Sequence, residues 1–191
     1  MLAMSAEPKL PGKTAIQLEL LPGFASVPAF EENAPTFAEN AAGKALHYSR
    51  CREELVFADD SGLVVPSLGG APGVLSARYA GPTASSAERN AKLLRELQGK
   101  SGQDRAAYFV CAIALAQNGG AKAIVTARVD GEILDAPRGD RGFGYDPVFY
   151  LPELKKGFAE ISPKEKNEHS HRGRAFCKLL AFLSYDSAAG R

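Results

Sequence analysis

The chain has 191 residues, of which 45% are hydrophobic and 24% are charged, and its formal net charge is +1. This length and balance are typical of one soluble globular domain with a sizeable core. A net charge near zero argues against a broad nucleic-acid-binding face, and no apolar run is long enough to cross a membrane. The three cysteines are widely spaced and odd in number, which favours reduced thiols in a cytoplasmic protein over disulfides or a zinc site.

Strands and helices are predicted to alternate from the start of the chain. Ile16–Leu20 has the alternating pattern of a half-buried strand. Thr36, followed three residues later by Glu39, forms a capping box, which predicts a helix to about Cys51. The apolar run Leu55–Ala58 is typical of a buried strand. The first third of the chain is therefore predicted to contain a strand, a helix and a second strand.

The rest of the chain continues this alternation. A helix capped by Ser85 and Glu88 is predicted to stop at Gly99. Two strands, at Ala107–Ala116 and Ala121–Val129, are joined by the hairpin signal Asn118-Gly119-Gly120. A short strand near Pro147–Tyr150, a helix with Ser162 as N-cap and a last helix over about Ser170–Tyr185 follow. Because the sequence has no repeats or linkers, we predict that residues 1–191 form one α/β domain. A mixed central β-sheet would be flanked by helices in this domain.

Two adjacent carboxylates, Asp59 and Asp60, follow the strand predicted at Leu55–Ala58, and Ser61-Gly62 after them is a turn signal. The pair is therefore predicted to lie where a strand ends, which is where open α/β sheets bind ligands. Carboxylates in such a place hold a divalent cation or abstract a proton, although Asp also initiates ordinary turns. Glu39 could join Asp60 around a metal, or it could serve only in its capping box.

A Gly-rich loop at Arg138–Pro147 carries Phe143 and Tyr145 between its glycines. Glycines let the backbone approach a ligand closely, and the two flat rings could stack on a nucleobase. Asp146 could accept hydrogen bonds from the same base. The alternative is an ordinary flexible loop with incidental aromatic residues.

A basic segment follows, with Lys166 just upstream of Ser170 and with His171 and Arg172 in the first turn of the last helix. The helix dipole disfavours cations at this end, so two of them there indicate that they face an electron-rich group. Such donors can bind a carbonyl or ring nitrogen on a base edge. The alternative is a solvated basic surface.

Several stretches resemble, in the same order, the inosine triphosphate pyrophosphatase (Ham1-like) family, which removes deaminated purine nucleotides from the nucleotide pool. They are Thr36–Ala41, Phe57–Leu63, Gly70–Gly81, Gly142–Pro147 and Ser170–Gly173. The resemblance implies a two-lobed α/β homodimer with its active site in the cleft between the lobes. It also implies Mg²⁺-dependent hydrolysis of ITP, dITP or XTP to the monophosphate and pyrophosphate, with no nucleic-acid or membrane partner.

The resemblance also implies roles for the matching residues. Asp60 would be the general base and would hold Mg²⁺ together with Glu39, and Asp59 would support that centre. The substrate contacts would be Lys44 and Ser61 at the phosphates, Phe143, Gly144, Tyr145 and Asp146 at the base and sugar, and Lys166, His171 and Arg172 at the 6-oxo edge of the base. An adenine amino group at that edge would leave buried donors unpaired, so adenine nucleotides would be rejected.

The N-terminal segment departs from the family's pattern. The family begins with a strand, a phosphate-binding loop of the type Ser/Thr-x-Asn-x-x-Lys and a helix, and we expect this chain to lack all three. Pro11-Gly12-Lys13 resembles the end of that loop. It leaves no room for the helix before the strand predicted at Ile16, so we assign no phosphate role to Lys13.

Other functions are compatible with parts of the sequence. Without the phosphate loop, the chain could bind nucleotides with little or no turnover. A metal-dependent phosphatase could use Asp59 and Asp60, but the base-stacking loop would then have no role. A Nudix hydrolase is disfavoured because no helix of the Arg-Glu-x-x-Glu-Glu type is present.

Overall fold

The computed structural model describes residues 18–21, 23–50 and 53–188. The chain divides into two units, the first ending at Glu31 and the second beginning at Glu32. Among the described residues, no helix combines the length and the apolarity that crossing a membrane requires.

The first unit contains a 3-10 helix at Phe24–Ser26, and Leu18–Leu20 do not form a strand. The strand predicted at Ile16–Leu20 is therefore wrong over its last three residues, because an alternating pattern forms a strand only where a neighbouring strand pairs with it. The first two residues of that predicted strand lie outside the described residues. So does the N-terminal segment up to Lys13, on which the expected lack of a phosphate loop depends.

The second unit contains the predicted helices and strands in the predicted order, together with a two-residue strand at Lys156–Gly157 that the sequence did not indicate. They are α1 (Phe37–Ser49), β1 (Val56–Val64), α2 (Ser86–Glu96), β2 (Ala106–Gln117), β3 (Gly120–Ile133), β4 (Phe149–Leu151), β5 (Lys156–Gly157), α3 (Pro163–His169) and α4 (His171–Ala188). Shorter 3-10 helices lie at Pro66–Leu68, Gly73–Arg78, Gly102–Arg105 and Asp146–Val148. The α/β prediction is confirmed.

Side-chain caps fix the helix starts that the sequence predicts. Thr36 Oγ1 accepts a hydrogen bond from the Glu39 N–H at 3.2 Å, at the start of α1. The other two predicted caps form full capping boxes, Ser85 with Glu88 and Ser162 with Glu165. Each cap stabilises its helix by about 1 kcal/mol because it satisfies an N–H that the first turn leaves unpaired.

The strands form one sheet in the order β1-β2-β3-β4-β5, and all of the described pairs are antiparallel. The expected mixed sheet is therefore not observed among these residues. Strands from β2 onward are joined by turns and loops, and such connections give antiparallel pairs, whereas parallel pairs need a longer crossover. Asn118 and Gly119, with φ of 50° and 70°, form the predicted turn between β2 and β3.

β1 continues through the acidic pair instead of ending before it. All of its residues pair with β2, so Asp59–Gly62 lie in the middle of the strand. A Cβ on Gly62 would lie 2.8 Å from both Gly73 O and Phe37 Cε1. Glycine is thus required here for close packing, and the prediction of a strand end with a turn at Ser61-Gly62 is wrong.

The two faces of this part of the sheet are covered by different helices. Alternate side chains of β2 point to opposite faces. The α1 cluster contains Ala41 and Ala45 of α1 with Ala112, Ala114 and Ala116 of β2. The α4 cluster contains Ala175 and Leu179 of α4 with Cys111, Ile113 and Leu115 of β2. The acidic segment of β1 therefore has α1 on one side and α4 on the other.

A third, larger cluster lies farther along β2 and β3. Its aromatic members Phe109, Phe149 and Phe158 contact one another, with ring centroids 4.7 to 5.8 Å apart. Leu63 of β1 belongs to this cluster, whereas Ala58 packs against the α1 cluster. The residues of β1 between these two positions are the polar ones, so the candidate site lies where the apolar clusters separate.

Candidate functional site

Asp60 lies on the α1 face of β1, where its β2 partner is Ala112. Its side chain is 11% exposed, and its Oδ1 lies 3.5 Å from Lys44 Nζ. The same Nζ lies 3.1 Å from Glu32 Oε1, so one ammonium group joins two carboxylates. Asp60 Oδ2 is buried and has no hydrogen-bond partner among the described residues.

Burial raises the pKa of the Asp60 carboxyl above its ordinary value. The Lys44 ammonium opposes this rise most strongly, the Glu32 carboxylate adds to it, and the Asn40 side chain lowers the pKa again. A raised pKa makes a carboxylate a stronger base, and the unpartnered oxygen can accept a proton or bind a cation. Asp60 therefore has the properties predicted for a general base.

Asp59 lies on the opposite face of the sheet, next to α4. Its Oδ2 accepts a hydrogen bond from Arg172 Nε at 3.3 Å. Its β2 partner, Ile113, belongs to the α4 cluster. Because consecutive residues of a strand point to opposite faces, Asp59 and Asp60 do not face one common ligand.

The metal set predicted from Glu39, Asp59 and Asp60 is not assembled. Within the described ranges, no three acidic, His or Cys side chains form a group that could hold a metal ion. Glu39 is exposed, and its Oε2 accepts a hydrogen bond from Thr36 Oγ1 at 2.7 Å. The Thr36 cap of α1 therefore forms without the full capping box that the sequence predicts. Glu32 is the carboxylate that shares a cationic partner with Asp60.

The Gly-rich loop is organised around the buried carboxylate of Asp146. Its Oδ2 accepts hydrogen bonds from the Phe143 N–H at 2.7 Å and from Lys166 Nζ. Gly142 has a φ of +76°, and a Cβ there would overlap Asp146 Oδ2. Lys166 Nζ and Arg172 Cζ lie 4.4 Å and 5.1 Å from the centroid of the Phe143 ring, which is 48% exposed. The loop thus presents one exposed ring flanked by two cations.

Gly144 and Tyr145 anchor this loop to the rest of the fold. Gly144 O accepts a hydrogen bond from Asn90 Nδ2 at 3.1 Å, and the Tyr145 O–H donates to Ser76 O at 3.0 Å. Tyr145 is 4% exposed and belongs to the large core cluster. Its ring is therefore not available for stacking, and the prediction that it lines the base is wrong for its side chain.

His171 is buried in the first turn of α4. Its ring stacks on Phe109, and its Nδ1 is buried without a partner among the described residues. Burial, assisted by the charges of Arg172 and Lys166, lowers the pKa of His171 to about 3. His171 is therefore neutral at pH 7, and its predicted status as a cation is wrong. Arg172 does face an electron-rich group, as the sequence predicts.

The remaining predicted residues are part of regular structure. Ser61 is partly exposed in β1 and pairs with Cys111 of β2, so its predicted phosphate contact stays a prediction. Ser170 Oγ accepts a hydrogen bond from the Gly173 N–H at 3.1 Å, which confirms it as a cap of α4.

Sequence reasoning missed Glu32, Asn90 and Ser76. Asn90 and Ser76 act on residues 54 and 69 positions away, so no local pattern could indicate their partners. Glu32 lies in the polar segment before α1, where only its charge marks it.

Comparison with other proteins places this arrangement in a family. A profile of the Ham1 family matches residues 5–182. This chain belongs to the Ham1 family. The dITP/XTP pyrophosphatase of Geobacillus kaustophilus is 53% identical over 167 residues, which cover 87% of this chain and 82% of the relative. That of Gloeobacter violaceus is 54% identical over 156 residues, covering 82% and 77%.

Solved structures of Ham1 proteins have the same fold. The HAM1 protein of Coxiella burnetii superposes with a TM-score of 0.79 at 45% identity, covering 84% of this chain and 82% of that one. The Staphylococcus aureus Ham1 protein gives a TM-score of 0.80 at 40% identity, covering 85% and 84%. The resemblance seen in the sequence motifs is therefore confirmed.

In this Ham1-family chain, two chemically different groups lie on the two sides of β1. Asp60, Lys44 and Glu32 combine two carboxylates with one ammonium group. On the other side, Phe143 offers an aromatic face beside Arg172. Arg172 contacts both that ring and Asp59, so it links the Gly-rich loop to the acidic strand.

Proposed function

We propose that this chain hydrolyses the deaminated purine nucleotides dITP, XTP and ITP to the monophosphate and pyrophosphate. One observation carries the proposal. Curated relatives that are more than 50% identical, over more than four-fifths of this chain, are dITP/XTP pyrophosphatases. The geometry supports it, because a buried carboxylate with a lysine partner and an exposed ring with cationic neighbours are the groups that a nucleotide hydrolase needs.

The reaction adds water across the bond between the α- and β-phosphates. The oxygen of water bonds to phosphorus, the bond from phosphorus to the bridging oxygen breaks, and pyrophosphate leaves. Asp60 takes the proton of the attacking water, and its raised pKa strengthens it as a base. Lys44 Nζ, 3.5 Å from Asp60 Oδ1, neutralises charge on a phosphate oxygen. Ser61, whose β2 partner Cys111 belongs to the α4 cluster, would contact the phosphates from the other face of β1.

We propose Mg²⁺ as the cofactor, held by Asp60 and Glu32. The fit rests on Asp60 Oδ2, which is buried without a hydrogen-bond partner in the described part of the chain, and on Glu32, which shares Lys44 with Asp60. Carboxylate oxygens are the ligands that Mg²⁺ prefers. The cation would neutralise negative charge on the triphosphate. Glu39 is a weaker candidate because its carboxylate is bonded to Thr36.

The base is proposed to stack on Phe143, with Lys166 and Arg172 as donors to its 6-oxo oxygen. Both cations already lie within 5.1 Å of the ring centroid. His171 contributes as a neutral imidazole. Its Nδ1, which has no partner among the residues that the structure describes, can donate to a base oxygen in the N–H tautomer. An amino group at position 6 would leave these donors unpaired, which disfavours adenine nucleotides.

We further propose that the protein works in the cytoplasm as a homodimer, as the family resemblance implies. Its described cysteines, Cys111 and Cys177, are free thiols, which suits a reducing compartment. Light scattering during size-exclusion chromatography tests the dimer, which requires twice the chain mass of 20.3 kDa.

Product analysis tests the proposed activity. The protein is incubated with Mg²⁺ and dITP, XTP, ITP, GTP or ATP, with EDTA and Asp60→Asn as controls, and the products are separated by chromatography. We expect monophosphate and pyrophosphate from the three deaminated substrates only. Release of orthophosphate would instead support the phosphatase alternative. Binding without turnover would support a nucleotide-binding protein.

A further inference from the structure

The carboxylates of Asp59 and Asp60 have different cationic partners. Asp60 faces Lys44 of α1, whereas Asp59 faces Arg172 of α4. We propose that Asp59 is a positioning residue, which holds Arg172 in place for recognition of the purine base and does not bind metal. This inference rests on the proposed function, because it assigns a task within the same site.

The alternation of β1 separates the two aspartates. Asp59 pairs across the sheet with Ile113 of the α4 cluster, and Asp60 pairs with Ala112 of the α1 cluster. A carboxylate on the α4 face cannot turn to the α1 face unless the strand slips by one residue. Such a slip would break the continuous pairing of β1 with β2. Asp59 is therefore held away from Asp60 and Glu32 by the sheet itself.

The Arg172 side chain is held at two points. Its Nε donates to Asp59 Oδ2 at 3.3 Å, and its Cζ lies 5.1 Å from the centroid of the Phe143 ring. The bond to Asp59 engages Nε, so the N–H groups on the two terminal nitrogens can serve a substrate oxygen. A long side chain that is already ordered loses less conformational entropy when it binds a ligand. The Asp59 carboxylate thus prepares Arg172 for the base.

The pairing also explains why a half-exposed carboxylate lies beside the catalytic one. Asp59 and Arg172 are 37–42% exposed, so their attraction is partly screened and contributes modestly to stability. Its consequence is orientation, because the Arg172 guanidinium is held both by Asp59 Oδ2 and over the Phe143 ring. Loss of Asp59 should therefore change base recognition more than folding or the chemical step.

Nucleotide binding without metal tests this role directly. The affinities of the wild type and Asp59→Asn for IMP and AMP are measured by calorimetry in EDTA. We expect Asp59→Asn to bind IMP about three- to tenfold more weakly, with AMP binding unchanged, because the lost interaction serves only the 6-oxo base. Asp59→Glu should recover part of the IMP affinity. Arg172→Gln should lose as much, and Asp59→Asn should then add little to it.

Kinetics and a matched variant separate positioning from metal binding. With dITP and a Mg²⁺ titration, Asp59→Asn should raise KM three- to tenfold, change kcat less than twofold and leave the Mg²⁺ requirement unchanged. The control is Asp130→Asn, at another exposed aspartate that is paired with an arginine. On β3, Asp130 Oδ1 accepts a hydrogen bond from Arg128 Nε at 2.8 Å. It should behave like the wild type in both assays. Thermal unfolding of each variant establishes that it is folded.

Two outcomes would overturn the inference. One is an unchanged preference for IMP over AMP in Asp59→Asn, whether or not both affinities fall, and the other is a raised Mg²⁺ requirement. The proposed function can fail separately. The wild type could prefer IMP, with that preference depending on Asp59, and yet release no pyrophosphate from dITP. This result would refute the pyrophosphatase activity and support the role of Asp59. If the wild type hydrolyses dITP and Asp59→Asn has no effect, the pyrophosphatase activity is supported and the role of Asp59 is refuted.

Discussion

The imidazole of His171 lies parallel to the ring of Phe109, with ring centroids 4.6 Å apart and 8° between the planes. His171 is 6% exposed, and the charges of Arg172 and Lys166 further disfavour a proton on it. The folded protein therefore holds a neutral histidine whose pKa is about 3, against an ordinary value of 6.5. This difference couples folding to pH.

We expect the free energy of unfolding to fall as the pH is lowered from 6.5 towards 3 because of His171. The unfolded chain binds a proton in this range and the folded chain does not, so acid favours unfolding. Above pH 6.5 the slope fades as the unfolded histidine loses its proton. At pH 5.5 the loss should be about 1 kcal/mol. Urea unfolding at pH 7.5 and 5.5 measures it. His171→Gln should show a smaller loss than the wild type, and equal losses would contradict the prediction.

The features that the sequence predicted correctly depend on local signals. The caps at Thr36, Ser85 and Ser162 need only a side chain and an N–H three residues away. The turn at Asn118 and Gly119 likewise needs only residues that tolerate positive φ. Such signals have their physical cause within one turn of the chain, so one sequence is enough to find them.

The features that it missed depend on tertiary contacts. The apparent turn at Gly62 is a position where Gly73 and Phe37 approach the strand closely, and nothing nearby in the sequence indicates this. The different partners of Asp59 and Asp60 could not be predicted, because they depend on α1 and α4 covering opposite sides of the sheet. The burial of Tyr145 depends in the same way on the distant Ser76.

Phe143 should contribute to substrate binding and little to stability. Its ring is 48% exposed, so Phe143→Ala removes little buried surface. A stacked base loses about 1–3 kcal/mol when its aromatic partner is removed, so KM for dITP should rise about tenfold or more. Steady-state kinetics and thermal unfolding test both parts. Tyr185→Ala, at an aromatic residue that is 74% exposed on α4, is the control and should leave KM unchanged.

Asp60→Asn should abolish turnover without destabilising the fold. Burial of the Asp60 carboxylate raises its pKa, which shows that the folded state disfavours the charge despite Lys44. The neutral amide has a similar shape, and Lys44 keeps its ion pair with Glu32 at 3.1 Å, so we expect little change in the free energy of unfolding. The rate of pyrophosphate release should fall about a thousandfold or more, since a general base contributes about 10²–10⁴ and the proposed Mg²⁺ ligand is lost as well. A variant that is much less stable than the wild type would show that the carboxylate is structural.

Gly62→Ala should destabilise the protein through crowding inside the sheet. The new Cβ would lie 2.8 Å from Gly73 O and Phe37 Cε1, and the backbone oxygen cannot move aside alone. Overpacking of this kind costs about 1–3 kcal/mol. Urea unfolding measures the cost, and Gly120→Ala is the control because its Cβ would lie 3.4 Å from the nearest atom, Gln117 O.

The same substitution should also reduce activity, because Gly62 follows the segment that carries Asp60. A strand displaced away from Gly73 would move the Asp60 carboxylate relative to Lys44, and small errors in the placement of a catalytic group cost large factors in rate. We therefore expect kcat for dITP to fall at temperatures where Gly62→Ala is still fully folded. A variant with wild-type stability and kcat would show that the loop at Gly73 yields without strain, and that glycine is not required at this position.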